Sequence, residues 1–302
     1  AKKAEAKYAS GKRTRALEGL PIGIKDENFI KGKPTSNGSL IMKDFVADTT
    51  SVGNERILRA GGIVHARTAT PEFSSAGYTN SRLWGVTRNP WNPEFTPGGS
   101  SGGSAASLAA GTSAIATGSD IGGSIRIPAG TCGLVGYKPP YGRNSDDPPF
   151  NLDFYCHTGP LARNVSDAIL LQNVMCGPHP KDMASLRPKL RLPAHYPPIR
   201  DWKIAFSMDL GFFEVDPDVQ KNTLKALDVF RDLGATVEEV EIGWDHRALD
   251  AGMAYLSHIF GAYMATYLAD HADKMTNYVR QWAEEAQKST SADFLQTLEV
   301  AN

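Results

Sequence analysis

Cysteine is scarce in this 302-residue chain: Cys132, Cys156 and Cys176 are all that it carries. An odd, sparse count argues against a disulfide framework and fits a reducing, cytoplasmic setting. No CxxC pair is present, and the seven histidines show neither HxxxH nor HExxH spacing. Neither a structural nor a catalytic zinc site is therefore expected, and no other metal or cofactor is called for. An excess of charge of one sign is also missing. The formal net charge is −1, so nothing draws the chain in bulk toward nucleic acid or an anionic membrane. No apolar run approaches the roughly 20 residues that span a bilayer. The opening AKKAEAKYASGKRTRA is basic and polar, without the apolar core of a secretory signal. The chain opens on Ala1 and not on Met, which leads us to expect a natural N-terminus upstream.

The composition that remains is that of a globular protein, 41% hydrophobic and 22% charged. Leu20 to Ile24 alternates like a strand and runs into Lys25 and Asp26. Thr50 to Ala60 has helical spacing and stops at Gly61-Gly62; Ile63 to Ala66 reads as a short buried strand. Residues 68–97 read as a long irregular segment. Beyond it we expect a small-residue helix over Ser104–Ala110, a strand over Thr112–Thr117, a turn over 118–123 and a polar, Pro-rich loop over 139–149. A helix over about 166–176 has Ser166 as its expected N-cap. After a proline-rich connection over 178–200, Lys203–Ser207 reads as a strand, Asp216-Pro217 opens a helix that Gly234 ends, and Ala235–Ile242 alternates as a strand. The chain turns helical from Arg247. Alternating strands and helices favour an α/β architecture in which helices cover both faces of a central sheet.

The block PGGSSGGSAASLAAGTSAIATGSDIGGSIRIPAGTCGLVGYKP, residues 97–139, stands out. A flexible linker would lack its interleaved Ala, Ile, Leu and Val. A phosphate cradle would need the Lys that follows the last Gly of a Walker loop, or the GxGxxG fingerprint, and both are absent. Catalysis by serine is the remaining reading. A nucleophilic serine needs a base and an oxyanion hole. Glycines in Ile121-Gly122-Gly123-Ser124 leave backbone N–H groups unobstructed for a developing oxyanion, and Gly98-Gly99 and Gly102-Gly103 flank Ser100 and Ser101. No GxSxG elbow surrounds Ser124, so a Ser–Lys system is the way left to activate a serine without histidine. The lysine must then be neutral when it acts as base, which calls for burial or positive surroundings.

These residues resemble the amidase signature hydrolases. GGSSGGSAASLAAG, GSDIGGSIRIPAG and CGLVGYKP follow the family signature almost continuously, and LEGLPIGIKD is similar to the strand that carries its lysine. The likeness covers roughly residues 18–245. It implies an α/β/α fold with a central mixed, twisted sheet. It also implies a single domain over 1–302, with its catalytic core at 18–245 and a helical segment at 246–302, short of the family's length at both ends. By the same resemblance Ser124 is the acyl-forming nucleophile, Ser100 the bridging serine beside a cis peptide, and Lys25 the terminal base. Ile121, Gly122 and Gly123 supply the oxyanion hole, and Ser74 lines the substrate pocket. Ser101 is the rival for the bridging role. Asp120 is expected to fix its turn by pairing with Arg126, Asp26 to support by hydrogen bonding, and Cys132 to be a small buried residue. Cys156 stands where many members carry an acid, which implies a change of loop anchoring beside His157 or of subfamily. The implied activity is hydrolysis of a small amide, ester or carbamate, without cofactor, nucleic acid or membrane, with a homodimer within range. The alternatives are the amidase subunit of a glutamyl-tRNA(Gln) amidotransferase, and a non-catalytic subunit on the same fold.

Overall fold

The computed structural model describes residues 1–302. The first part of the chain runs through α1 (Lys2–Ala9), β1 (Pro21–Lys25), α2 (Val52–Arg59), β2 (Ile63–Thr68), β3 (Asn80–Ser81), β4 (Gly85–Val86) and α3 (Gly102–Ala109). It continues through β5 (Ile115–Asp120), α4 (Arg126–Cys132), β6 (Val135–Gly136), β7 (His157–Ala162) and α5 (Val165–Met175). The second part holds β8 (Lys203–Phe206), α6 (Pro217–Asp232), β9 (Thr236–Glu239), α7 (His246–Leu256), α8 (Ala262–Ala265), α9 (Leu268–His271), α10 (Asn277–Ala286) and α11 (Ser291–Val300). Two compact units result: residues 1–194 with 269–280, and residues 195–268 with 281–302.

The first unit is built on a mixed five-stranded sheet in the order β2-β1-β5-β7-β6. β1 runs parallel to β2 and β5, whereas β7 is antiparallel to β5 and β6. Side chains alternate across a strand, and here they sort into two cores. Ile22, Ile24, Ile115 and Ala162 pack with Ile57 of α2 and with Ala168, Leu171 and Met175 of α5. Ala116 and Leu161, each one residue out of step with that set, pack with Ala105 and Leu108 of α3 and with Ile125, Ala129 and Cys132 around α4. Helices therefore cover both faces of the sheet. Gly23 and Lys25 alternate with Ile22 and Ile24, so Lys25 leaves the strand on the face opposite the α2/α5 core.

Three local expectations are corrected. The strand expected over Thr112–Thr117 lies three residues later, at Ile115–Asp120, and takes up half of the expected turn at 118–123. Pairing with β7 through Asp120↔His157 holds Gly118, Ser119 and Asp120 extended. β7 itself was not expected; a His-Thr-Gly-Pro-Leu-Ala segment has little β-propensity, but it is buried along its whole length. The N-cap of α5 is Asn164 and not Ser166, because the Asn164 side chain reaches the N–H of Asp167.

Residues 269–280 complete the first unit. The Glu72 carboxylate, 1% exposed, accepts from Ser39 Oγ at 2.7 Å and from the Thr276 N–H at 2.6 Å. The Glu72 N–H donates to Tyr278 Oη at 2.8 Å, and that hydroxyl donates to the Asn80 carbonyl at 2.7 Å. In the second unit β8 and β9 form a parallel pair connected through α6, whose N-cap Asp216 and following Pro217 set its start. Tyr255 of α7 and Phe294 of α11 meet with ring centroids 5.6 Å apart, and His258 stacks on Phe294 at 4.7 Å.

Candidate active site

Lys25, at the C-terminal end of β1, is fully buried. Its N–H donates to Thr117 Oγ1 on the neighbouring β5 at 3.2 Å. Its Nζ meets three acceptors: Ser100 Oγ at 2.6 Å, Ser119 Oγ at 2.8 Å and Glu27 Oε2 at 2.9 Å. Burial, one of the two conditions set for a basic lysine, is met. Positive surroundings are not, since the charge beside Nζ is a carboxylate. Burial works against the ionised Glu27, but the Lys25 charge and the hydroxyls of Ser119 and Ser74 outweigh it and hold the carboxyl below its ordinary value.

Ser100 is 1% exposed and follows a cis Gly99–Ser100 peptide at the entry to α3. Only glycine fits at 99, because a Cβ there would sit 2.6 Å from both Ala76 O and Tyr78 N. Gly98 to Gly102 has the lettering of a nucleophile elbow, GxSxG. No strand leads into it, however, and Ser100 is buried against Lys25 where an elbow nucleophile is exposed. Ser101 is turned elsewhere: its Oγ donates to Ser119 O and accepts from the Ser119 N–H, both at 3.4 Å. The Ser101 N–H donates to Ser124 O at 3.2 Å, which ties the Ser100 loop to the half-buried Ser124.

The turn before Ser124 is organised by Asp120, which is fully buried. Oδ1 accepts from the Gly123 N–H at 2.7 Å, and Oδ2 from the N–H groups of Ile125 at 3.1 Å and Arg126 at 3.3 Å. The Arg126 guanidinium adds bonds of 2.9 Å to each oxygen, and Lys138 Nζ lies 3.1 Å from Oδ1. Burial penalises this carboxylate, yet the bonds from Arg126 and Gly123 and the charge of Lys138 more than compensate and hold it well below the usual range. Gly123 has φ 117°, a conformation open to glycine. Because its N–H is committed to Asp120, the donors left in the expected oxyanion triplet are those of Ile121 and Gly122.

Ser74 sits in the left-handed region, at φ 58°. Its hydroxyl bonds to Glu27 Oε2, to Thr70 Oγ1 at 2.9 Å and to Asn37 Oδ1 at 3.0 Å. It braces the acid that faces Lys25. Asp26 accepts from Ser36 and from Arg67 Nε at 3.3 Å, the support expected of it. The loop around Cys156 is anchored by two other acids. Asp153 Oδ1 accepts from the N–H groups of Tyr155 at 2.8 Å and Cys156 at 3.2 Å, while Asp146 accepts from the Thr158 N–H at 3.0 Å and hydroxyl at 2.8 Å. Burial, opposed by the Thr158 bonds, pushes the Asp146 carboxyl up to about 6. Burial, together with the charges of Asp146 and Glu27, pushes the Cys156 thiol well above its ordinary value. Burial, and then the charge of Lys138, lower His157 to about 4. No group of three or more His, Cys, Asp or Glu side chains is placed to hold a metal ion.

Sequence reasoning missed Glu27 and Ser119. The signal for Glu27 was its place two residues beyond Lys25, in a turn that closes with the Asn28 N–H on the Lys25 carbonyl at 3.2 Å and so brings its side chain back to Lys25.

A family model described as Amidase matches residues 1–300. A glutamyl-tRNA(Gln) amidotransferase subunit of Cyanothece sp. is 38% identical over 246 residues, 80% of this chain and 50% of that protein. The chain thus spans about half the length of the curated relatives it matches. A bacterial aryl acylamidase of the amidase signature family superposes with a TM-score of 0.89 at 30% identity, over 98% of this chain and 64% of that one. The glutamyl-tRNA(Gln) amidotransferase subunit of the same type from Thermotoga maritima superposes with a TM-score of 0.74 at 26% identity, over 94% of this chain and 63% of that one. With its mixed, helix-covered sheet and a signature match along nearly its whole length, the chain belongs to the amidase signature family.

Proposed function

We propose that this protein is a serine hydrolase that cleaves the C–N bond of a small amide through an acyl-enzyme on Ser124. The observation that carries the reading is the buried 2.6 Å contact between Lys25 Nζ and Ser100 Oγ, in a loop bonded to Ser124. Neutral Lys25 takes the proton of Ser100 while Ser100 takes that of Ser124. The Ser124 oxygen attacks the carbonyl carbon, and the N–H groups of Ile121 and Gly122 receive the oxyanion. Loss of one such donor typically costs about 3 kcal/mol of barrier. The proton then returns from Lys25 through Ser100 to the leaving nitrogen as the C–N bond breaks. Water, deprotonated along the same chain, cleaves the ester. No step calls for a cofactor. Esters and carbamates present the same carbonyl and fall within the reach of this machinery. No helix is long and apolar enough to cross a membrane; we place the enzyme in the cytoplasm on the strength of its three unpaired cysteines.

The test is a panel of p-nitroanilides, primary amides, esters and carbamates, together with fluorophosphonate labelling. Ser124→Ala is expected to abolish both turnover and labelling, and Lys25→Ala to remove nearly all turnover while folding survives. Labelling that persists in Ser124→Ala would reassign the nucleophile, and full turnover by Lys25→Ala would end the Ser–Lys scheme.

A second reading, the amidase subunit of a tRNA-dependent amidotransferase, is favoured by the name of the 38%-identical relative. The closer superposition on the aryl acylamidase favours the free hydrolase. Glutaminase activity that requires a co-purifying partner would select the amidotransferase.

A further inference from the structure

Glu27 has no part in the proton path described above, yet it touches the base of that path. Its Oε2 lies 2.9 Å from Lys25 Nζ, and the Ser74 hydroxyl braces the same oxygen. The count of protons around Nζ gives this contact a direction. A neutral amine has two N–H bonds and one lone pair, and three oxygens surround it. An ionised carboxylate has no proton to give and can only accept. The Ser119 hydroxyl is also bonded to Glu27, so its proton is spent there and its oxygen can only accept from Lys25. Ser100 alone among the three has a proton to offer to the lone pair.

We propose that Glu27 is the positioning residue for the catalytic base: its carboxylate, directly and through Ser119, takes both N–H bonds of neutral Lys25 and so turns the lone pair onto Ser100. The inference rests on the hydrolase reading above, in which Lys25 is the base. The same carboxylate then faces the ammonium formed when the Ser100 O–H bond breaks and the third N–H bond of Lys25 forms. That is the service a buried aspartate renders to the histidine of a serine protease, supplied here to a lysine. The arrangement also explains how a lysine with an acid at 2.9 Å can be a useful base. The carboxylate aims the proton transfer and then faces the ammonium that the transfer creates.

The other titratable groups that feel the Glu27 charge are Arg67, which is paired with Asp26, and Asp146 and Cys156. A pH profile therefore has to tell Glu27 from Asp146.

The experiment is the pH dependence of the second-order rate of labelling by a fluorophosphonate, which needs no knowledge of the natural substrate. Glu27→Gln keeps the shape but presents an N–H to the amine. Its plateau rate is expected to fall at least about tenfold. Its acid limb should move to lower pH by about one unit, because the charge that favoured the ammonium is gone. Glu27→Asp should lower the plateau while moving the limb less than Gln does. A native plateau and an unmoved limb in Glu27→Gln would overturn the proposal, as would a lowered plateau with an unmoved limb, the mark of a merely structural role. A limb that disappears in Asp146→Asn and stays in Glu27→Gln would overturn it in favour of Asp146. Should Glu27→Gln lose its thermal unfolding transition, Glu27→Asp carries the test, and a native plateau there is the refuting result. Native labelling by Lys25→Ala would instead sink the underlying hydrolase reading, whereas native labelling by Glu27→Gln beside an inert Lys25→Ala sinks only this inference.

Discussion

Asp120→Asn would replace a buried anion with six donor contacts by an amide of the same size that has one acceptor oxygen and one donor nitrogen. The amide oxygen can keep either the Gly123 N–H or the pair from Ile125 and Arg126, but not both. Whichever set meets the new N–H₂ group is left facing a donor. Hydrogen bonds to a charged acceptor are worth about 1.5–3 kcal/mol each. Breaking a buried ion pair from one side costs about 3–5 kcal/mol. The Arg126 side chain is 56% exposed and so contributes little, which places the expected loss near the lower end, at about 3 kcal/mol. The measurement is urea unfolding of both proteins, with fluorophosphonate labelling on the same samples. The carboxyl is depressed in the folded state, so its contribution is whole above the unfolded-state value of about 3.9 and is lost only as pH falls toward the lower folded value. The gap between the two proteins should therefore be constant from about pH 5 to 8 and should narrow below about pH 4. Labelling should fall about a hundredfold, because the turn that aims the Ile121 and Gly122 donors loses its tie. A loss under about 1 kcal/mol with native labelling would refute the view that Asp120 holds this turn.

Two further predictions concern the surroundings. Gly99→Ala puts a methyl 2.6 Å from Ala76 O and Tyr78 N; it should destabilise by more than about 2 kcal/mol in urea unfolding and displace Ser100, with loss of labelling. The Asp146 carboxyl is raised to about 6, so its ionisation burdens the folded state from about pH 4 upward, and fully above about pH 6. Asp146→Asn, which still accepts from Thr158, should gain about 1 kcal/mol at about pH 7.5 and nothing at about pH 4; equal effects at the two pH values would contradict this.

The parts of the site that were legible in the sequence are those fixed by short segments. Lys25 ends an alternating apolar strand, and Ser100 and Ser124 sit among glycines that tolerate close backbone approach. The parts that were not legible depend on long-range pairing. β5 begins and ends three residues later than its apolar pattern suggests, because β7 supplies hydrogen bonds to Gly118, Ser119 and Asp120. The same shift places Ser119 on Lys25 and leaves Asp120 at the strand end to collect the N–H groups of the next turn. The commitment of the Gly123 N–H to Asp120 cannot be seen in a Gly-Gly-Ser motif, which shows only that the backbone is unobstructed. Ser74 is assigned by resemblance to the pocket wall; the bonds of its hydroxyl to Glu27 and Asn37 join residues far apart in the chain and could not be read from its neighbours. Which way Ser100 and Ser101 each turn, one toward Lys25 and the other toward Ser119, is likewise not written in the lettering of their loop.

Residues 269–280 return to the unit that holds the serines after some seventy residues spent elsewhere. That has a consequence for the order of folding on the ribosome. The sheet's first strands, Lys25, Ser100 and Ser124 all lie early in the chain and can emerge first. The Glu72 carboxylate, however, has no Thr276 N–H, and Asn80 no Tyr278 hydroxyl, until the chain has been made to residue 280 and threaded back. Until then a buried acid beside Ser39 stands half-satisfied, so the unit should stay open to proteases near residues 72–80 for as long as synthesis of the intervening segment takes. Nascent chains arrested before and after residue 280 would differ at that one place.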